Sequence, residues 1–264
     1  MILTDYHVHS SYSFDAKEDM RIEELARYAA SNGVSRLAVC DHYDLNWVKS
    51  GENPDIDFAE RAKKIEQSNR ANPCVRLLDG IELGQATQEI EMAERVLGAH
   101  EFEVILGSLH NIRDMPDFFY IKYEDYSLSQ LEDIYRQYLI ELCELAEWGK
   151  FHILAHMTYP LRYFTKNNRF IALEKYRSYY RNIYVQLVKN GIALEVNTSG
   201  LRSNVKQTMP NLGAIADYIA AGGKRVVLGS DAHMKTHIGY KFGGAVERLK
   251  RIGAHICGRS DPLF

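Results

Sequence analysis

The sequence predicts an α/β protein folded as a closed barrel of parallel strands, and three observations carry that prediction. Short apolar, β-branched runs recur along the chain, and each ends in a polar cluster of His, Asp, Glu or Asn. Helical patterns lie between them. The strand-end residues His9, His42, Glu82, His110, His156, Asn197 and Asp231 are 33, 40, 28, 46, 41 and 34 residues apart, each interval long enough for a strand, a helix and two loops. An open doubly wound sheet would gather function at its switch point, whereas a barrel brings the C-terminal ends of all its strands to one mouth. Polar clusters at every strand end favour the barrel.

The expected strands are 2–9, 36–42, 75–82, 103–110, 151–156, 192–197 and 225–233, continuous apolar runs that suit strands buried on both faces. The first expected helix, 21–31, is closed by Asn32 and Gly33, and 58–69 and 87–97 follow. A long helix at 128–148 is closed by Gly149, one at 172–189 by Asn190 and Gly191, and one at 212–221 by Gly222 and Gly223; glycine just past a helix supplies the left-handed closing residue. Segment 254–257 is too short to define an eighth strand, and the two longest intervals point to insertions after the fourth and fifth strands. The aromatic stretch 118–126 reads as packing.

Composition fits one globular domain spanning 1–264, with 46% apolar and 25% charged residues and no linker rich in Pro, Gly or Ser. A net charge of −3 supplies no basic field for nucleic acid or an anionic membrane. The opening Met1-Ile2-Leu3-Thr4-Asp5 lacks the basic and apolar regions of a signal peptide, and no apolar run approaches a membrane span, so the expected location is cytoplasmic. Cys40, Cys74, Cys143 and Cys257 are widely spaced and read as buried thiols in a reducing compartment.

The chemistry sits at the strand ends. His7 and His9, two apart on a strand, leave the same face and can meet one ion, and Asp231-Ala232-His233 repeats that spacing at the last strand. Glu82, His110 and His156 each terminate a strand of their own; His42 and the loop residue Asp15 can add ligands. A carboxylate can bridge two cations and neutral imidazole suits zinc, iron and related metals, so the set has the chemistry of a multinuclear N/O site. With no sulfur ligand at usable spacing, open coordination positions are expected rather than a closed structural site. His100, His152, His237 and His255 fall in helices, strand starts or loops that point elsewhere. Paired metals lower the pKa of a shared water and hold both oxygens of an in-line phosphoryl displacement. The absence of G-x-x-x-x-G-K-[ST], G-x-S-x-G and dinucleotide fingerprints argues against NTPase, serine hydrolase and dehydrogenase.

His7-Val8-His9, Cys40-Asp41-His42, Gly80-Ile81-Glu82, Ser108-Leu109-His110, Ala155-His156 and Gly229-Ser230-Asp231-Ala232-His233 resemble the successive motifs of the polymerase and histidinol phosphatase (PHP) superfamily. The resemblance runs from the first strand to the seventh and implies a distorted (β/α)7 TIM-like barrel with the metal site at the C-terminal ends of the strands. The surrounding phrases, 4–10, 107–111 and 195–200, resemble its histidinol-phosphate phosphatase branch. This implies a metal-dependent phosphomonoesterase converting L-histidinol phosphate to L-histidinol and phosphate in histidine biosynthesis.

By the same resemblance, three divalent ions (Zn, Fe or Mn) are expected. One takes His7, His9, Glu82 and Asp231, a second shares Glu82 and adds His110 and His156, and a third takes Asp15, His42 and His233. Many family members carry His where this chain has Asp15, which makes the third site richer in oxygen. Arg162 and Arg202, just beyond strand ends, are the expected phosphate partners, with Arg113, Lys166 and Arg169 behind them; Asp231 is the expected proton relay to the leaving alkoxide. The expected partner is a small phosphomonoester, with no nucleic acid and no membrane. Two other readings remain at this point: a phosphoesterase of the same superfamily acting on nucleotides or nucleic-acid ends, and a non-catalytic domain that uses its metals to stabilise an interaction surface.

Overall fold

The computed structural model describes residues 3–52 and 55–258, so Ile2, the expected start of the first strand, lies outside the described residues. Seven strands, β1 (Leu3–Val8), β2 (Val34–Asp44), β3 (Arg76–Gly84), β4 (Val104–Ser108), β5 (Ile153–Leu154), β6 (Ala193–Asn197) and β7 (Val226–Gly229), pair in sequence order, all parallel. The ends approach closure. Val8 bridges Ala232 in parallel, the His9 N–H donates to the Ala232 carbonyl at 3.0 Å, and the Asp231 N–H donates to the His7 carbonyl at 2.8 Å. This is the expected (β/α)7 TIM-like barrel. Ile256 makes one parallel bridge to Val226 and no further strand follows among the described residues.

Period-two alternation explains how the sheet aims the site. Ala38 and Cys40 on β2, Leu78 on β3, Val104 and Leu106 on β4, Ile153 and Ala155 at β5, Ala193 on β6 and Val227 on β7 form one buried apolar cluster. Continuing each row upward by twos leads to His42, Glu82, His110 and, past β7, Asp231. The same geometry that fills the barrel therefore delivers polar side chains to its top. Two larger clusters pack the outer faces of the strands against the helices.

The helices are α1 (Ile22–Ser31), α2 (Leu45–Ser50), α3 (Phe58–Ala71), α4 (Ile90–Ala99), α5 (Leu128–Trp148), α6 (Pro160–Lys166), α7 (Arg177–Asn190), α8 (Leu212–Ala220) and α9 (Phe242–Arg251). In α5, Ser127 and Gln130 form a capping box and Gly149 ends the helix in the left-handed conformation at φ 70°. Three helices are additions to the sequence reading. α2 and α6 have only six and seven residues. α9 begins Phe242-Gly243-Gly244, a weak helical start rescued by burial of Phe242, Ala245, Val246 and Leu249 along one face. The expected strands 151–156 and 225–233 are shorter than read, because their polar ends leave the sheet to build loops. Cys74 is exposed, since it lies in the turn before β3, and Cys143 is only half-buried, contrary to the expectation of four buried thiols; all four cysteines are free. No described helix is long and apolar enough to cross a membrane.

Candidate metal centre and phosphate pocket

At the mouth of the barrel six imidazoles cluster, five of them within 3.6 Å of the fully buried carboxylate of Glu82. They meet in three pairs. His7 Nε2 and His9 Nε2 are 3.1 Å apart, His110 Nε2 and His156 Nε2 are 3.4 Å apart, and His42 Nε2 and His233 Nε2 are 3.3 Å apart. A carboxylate oxygen completes each pair. Glu82 Oε2 lies 3.4 Å from His7 and 3.6 Å from His9, Glu82 Oε1 lies 3.2 Å from His110 and 2.8 Å from His156, and Asp15 lies 3.8 Å from His42 and 3.1 Å from His233. Asp231 Oδ1 stands 3.6 Å from His9 Nε2 and 3.5 Å from His233 Nδ1.

These distances test the donor set for metal binding. Two nitrogens bound tetrahedrally to one ion at about 2.0–2.1 Å lie about 3.3 Å apart. Ring nitrogens facing each other at that separation, with a carboxylate beside each pair, match a cation's coordination shell better than mutual hydrogen bonding, which needs a proton in every gap. Glu82 Oε2 also lies 2.8 Å from His42 Nδ1, so one buried carboxylate oxygen meets three imidazoles. The residues present fit divalent ions with N/O preference.

Electrostatics agree. Burial pushes Glu82 upward, but the imidazoles of His7, His42 and His110 override it and hold the carboxyl well below its usual range. Burial pushes His7 down while Glu195 and Glu82 hold it well above its usual value; Asp44 and Glu82 do the same for His110. His42 is pushed down by burial and up more strongly by Glu82, reaching about 9. His9 is held well below its usual value by burial and by the neighbouring His233 and His42.

The back sides of three of the imidazoles are also occupied. His7 Nδ1 lies 2.8 Å from Glu195 Oε1, His110 Nδ1 lies 2.7 Å from Asp44 Oδ1, and His9 Nδ1 lies 3.0 Å from Ser13 Oγ. Such outer partners fix ring orientation and raise ligand basicity. Two glycines make room for them: a Cβ on Gly229 would stand 1.8 Å from Glu195 Oε1, and one on Gly84 would stand 2.1 Å from Asp44 Oδ1. Glu195, Asp44 and Ser13 were not singled out from the sequence. Glu195 carried a signal, a charge inside the apolar run 192–197 that must be partnered if buried.

Two site residues adopt left-handed backbone, His156 at φ 22° and Asp231 at φ 52°. Neither is glycine, so each conformation costs energy that its surroundings must supply. The His156 N–H donates to Glu195 Oε2 at 2.6 Å, and the Asp231 N–H donates to the His7 carbonyl.

A cavity of about 180 Å³ opens over this cluster, lined by Asp15, His42, His110, His156, Asp231 and His233 on its floor and by Arg162. Arg162, on α6, donates from Nη2 to Asp231 Oδ2 at 3.0 Å and to Ser199 Oγ. Burial lowers the Asp231 carboxyl's readiness to ionise, but His9 and Arg162 prevail and keep it well below its usual range. Phe14, Trp47, Phe119, Tyr120, Tyr159 and Tyr163 form the walls, with the carboxyl of Asp117 among them. The stretch 118–126 is thus divided: Phe118 and Tyr123 pack in the core, whereas Phe119 and Tyr120 are exposed at the mouth.

Arg202 differs from expectation. Its guanidinium donates to the carbonyls of Ser230 at 2.7 Å and Asp231 at 2.5 Å, outside the cavity lining, because the bent segment carrying Asp231 leaves those carbonyls without strand partners. Arg113 pairs with Glu141 and Glu144, and Arg169 reaches the Tyr123 carbonyl. His100 pairs with Asp79, and the His152 ring accepts from the Ile105 N–H, so both lie apart from the cluster as expected.

Comparison with known proteins places this arrangement among relatives. The chain is 28% identical to a probable histidinol-phosphatase from Thermotoga maritima over 250 residues, covering 94% of this chain and 92% of the relative. It is also 28% identical to a probable histidinol-phosphatase from Clostridium acetobutylicum over 245 residues, covering 92% and 91%. The fold superposes with a TM-score of 0.79 on the crystal structure of histidinol phosphate phosphatase from Lactococcus lactis complexed with Zn, L-histidinol and phosphate, at 20% identity and covering 96% of this chain and 95% of that one. The PHP domain family model matches residues 5–199, most of the chain and six of the seven polar strand ends. The chain belongs to the PHP domain family.

Proposed function

We propose that residues 1–264 form a single metal-dependent phosphomonoesterase that hydrolyses L-histidinol phosphate to L-histidinol and phosphate. The observation that carries this reading is the set of three imidazole pairs around Glu82 and Asp15 beneath a cavity walled by Arg162 and aromatic rings. The relatives supply the substrate, through the histidinol-phosphatase names of the curated matches and the L-histidinol and phosphate of the Lactococcus structure.

His7, His9, Glu82 and Asp231 would hold one divalent ion, Glu82 with His110 and His156 a second, and Asp15 with His42 and His233 a third; the N/O donors suit zinc, iron or manganese. Bound there, the ions supply an activated water and neutralise phosphate charge. Arg162 presents guanidinium N–H groups to the phosphate oxygens, a bidentate match that fixes the phosphorus over the floor of the cavity. The aromatic walls exclude water and leave the leaving group facing Asp117. Asp231, kept ionised, takes the proton of the attacking water at Oδ1 and passes it to the leaving alkoxide. Arg202 braces the backbone that carries Asp231. A biosynthetic role of this kind belongs in the cytoplasm.

Phosphate release from L-histidinol phosphate, nucleoside monophosphates and short oligonucleotides, with metal content determined in parallel, tests the reading. Turnover is expected on histidinol phosphate and to be lost in Glu82→Gln, His110→Ala and His156→Ala together with bound metal. Preferential turnover of nucleotides would overturn the substrate, and bound metal without turnover on any phosphomonoester would overturn the enzyme.

A further inference from the structure

The residue behind His9 differs in kind from those behind His7 and His110. Where the latter face carboxylates, His9 Nδ1 faces a hydroxyl, Ser13 Oγ, at 3.0 Å. A hydroxyl can donate or accept, so by itself it leaves the imidazole free to carry its proton on either nitrogen. The surroundings of Ser13 remove that freedom.

Ser13 Oγ has one proton and two lone pairs. It lies 2.9 Å from Asp41 Oδ1 and 3.1 Å from the backbone N–H of His42. The His42 N–H can only donate and uses one lone pair. Asp41 is surrounded by donors: the Ser10 N–H at 2.6 Å on Oδ1, and Ser10 Oγ at 2.8 Å and Arg61 Nη1 at 3.1 Å on Oδ2. Opposite the fixed guanidinium the carboxylate accepts, so the Ser13 proton points to Asp41. The remaining lone pair faces His9, whose Nδ1 must carry the hydrogen. His9 Nε2 is left bare, aimed at the gap shared with His7, Glu82 and Asp231.

Arg61 anchors this chain of choices. It stands on α3, away from the motif-bearing strand ends, yet its side chain is fully buried and reaches residues of both β2 and β3. Its Nη2 donates to Asp79 Oδ1 at 2.6 Å and to the Gly80 carbonyl, and Asp79 is held in turn by His100 Nε2 at 2.6 Å. A guanidinium cannot deprotonate in a protein, so its donors never reverse. Burying it between two carboxylates does not by itself stabilise the fold.

We propose that Arg61, Asp41 and Ser13 are positioning residues that lock His9 in the Nδ1–H tautomer and so set the affinity of the site for its metal. The proposal rests on the metal-binding reading above. Its test is zinc affinity, measured by competition with a chromophoric chelator on the full chain. The tautomer of His9 is read from long-range 1H–15N correlations of the metal-stripped protein.

For Ser13→Ala the zinc dissociation constant is expected to rise about 10–100-fold, the usual cost of losing an outer-shell partner, with the thermal midpoint close to that of the parent. His9 should then show loss of the single Nδ1–H signature. Ser13→Thr, which keeps the hydroxyl, should restore affinity to within a few-fold. Arg61→Met should weaken zinc in the same direction. Unchanged zinc affinity in Ser13→Ala would overturn the proposal, and a lowered midpoint with unchanged zinc affinity in Arg61→Met would reduce Arg61 to a structural ion pair. A parent protein that takes up no zinc, iron or manganese would overturn the metal assignment and this inference with it, an outcome distinct from equal affinities in parent and variant.

Discussion

Glu195 stands behind His7, its Oε1 2.8 Å from the imidazole Nδ1, in a space that exists because residue 229 has no side chain. The other oxygen of the same carboxylate accepts from the His156 N–H and from Asn197 Nδ2 at 3.1 Å. One buried carboxylate thus orients ligands from two proposed metal sites. Glu195→Gln keeps the volume but sets an amide donor against existing donors, and is expected to lower metal affinity about 10–100-fold. Metal content after dialysis against a weak chelator checks this; wild-type retention would confine Glu195 to packing.

Arg162 and Arg202 are expected to separate. Arg162→Ala removes a cavity-lining cation, costing on the order of 2–4 kcal/mol of transition-state stabilisation in kcat/KM while metal content stays intact. Arg202→Ala frees the carbonyls of Ser230 and Asp231, so its loss should appear in metal content and thermal midpoint as well as in rate. If Arg202→Ala instead lowers kcat/KM alone, Arg202 swings to the phosphate during turnover.

Asp231→Asn tests proton relay apart from ligation. An alkoxide leaving group needs a proton, whereas p-nitrophenolate departs without one. With metal content verified and chemistry limiting, the variant should lose more kcat on histidinol phosphate than on p-nitrophenyl phosphate. Equal losses would leave Asp231 a ligand only.

The pH dependence of stability should change sign when metal binds. In metal-stripped protein His42 is raised from 6.5 to about 9, so its proton stabilises the fold fully below about pH 6.5, and that contribution is lost as pH rises through about 9. The loss is on the order of 1–3 kcal/mol. Asp5, buried and raised to about 6, titrates below this window. With zinc bound the trend should invert, because protons and metal compete for the same imidazoles. Thermal midpoints across pH 6.5–9, with and without zinc, measure both slopes; His7 and His110, also held well above their usual value, act in the same sense, so parallel slopes would remove these imidazoles as a set from metal binding.

The barrel and the polar strand ends were legible in the sequence because parallel buried strands write themselves as apolar runs, and His9, Glu82 and His110 interrupt those runs where water or ligand is met. What escaped was set by contacts distant along the chain. Arg61 looks like one more charge on an exposed helix, and only the fold brings it between Asp41 and Asp79. Arg202 looked like a free cation until the bend at Asp231 exposed carbonyls that needed donors. Helix α9 was hidden by two glycines in its first turn.

The missing side chain at residue 229 couples two positions 34 residues apart. Any methyl group there collides with the carboxylate of Glu195, so Gly229→Ala alone should be as damaging as removing that carboxylate. The same methyl would stand 2.8 Å from the His7 Cβ, so shortening the acid in Glu195→Asp relieves only part of the collision, and Gly229→Ala should stay damaging in either background. The bare backbone at 229 is thus a keyway cut for two parts at once, the acid of Glu195 and the ligand His7 that it orients.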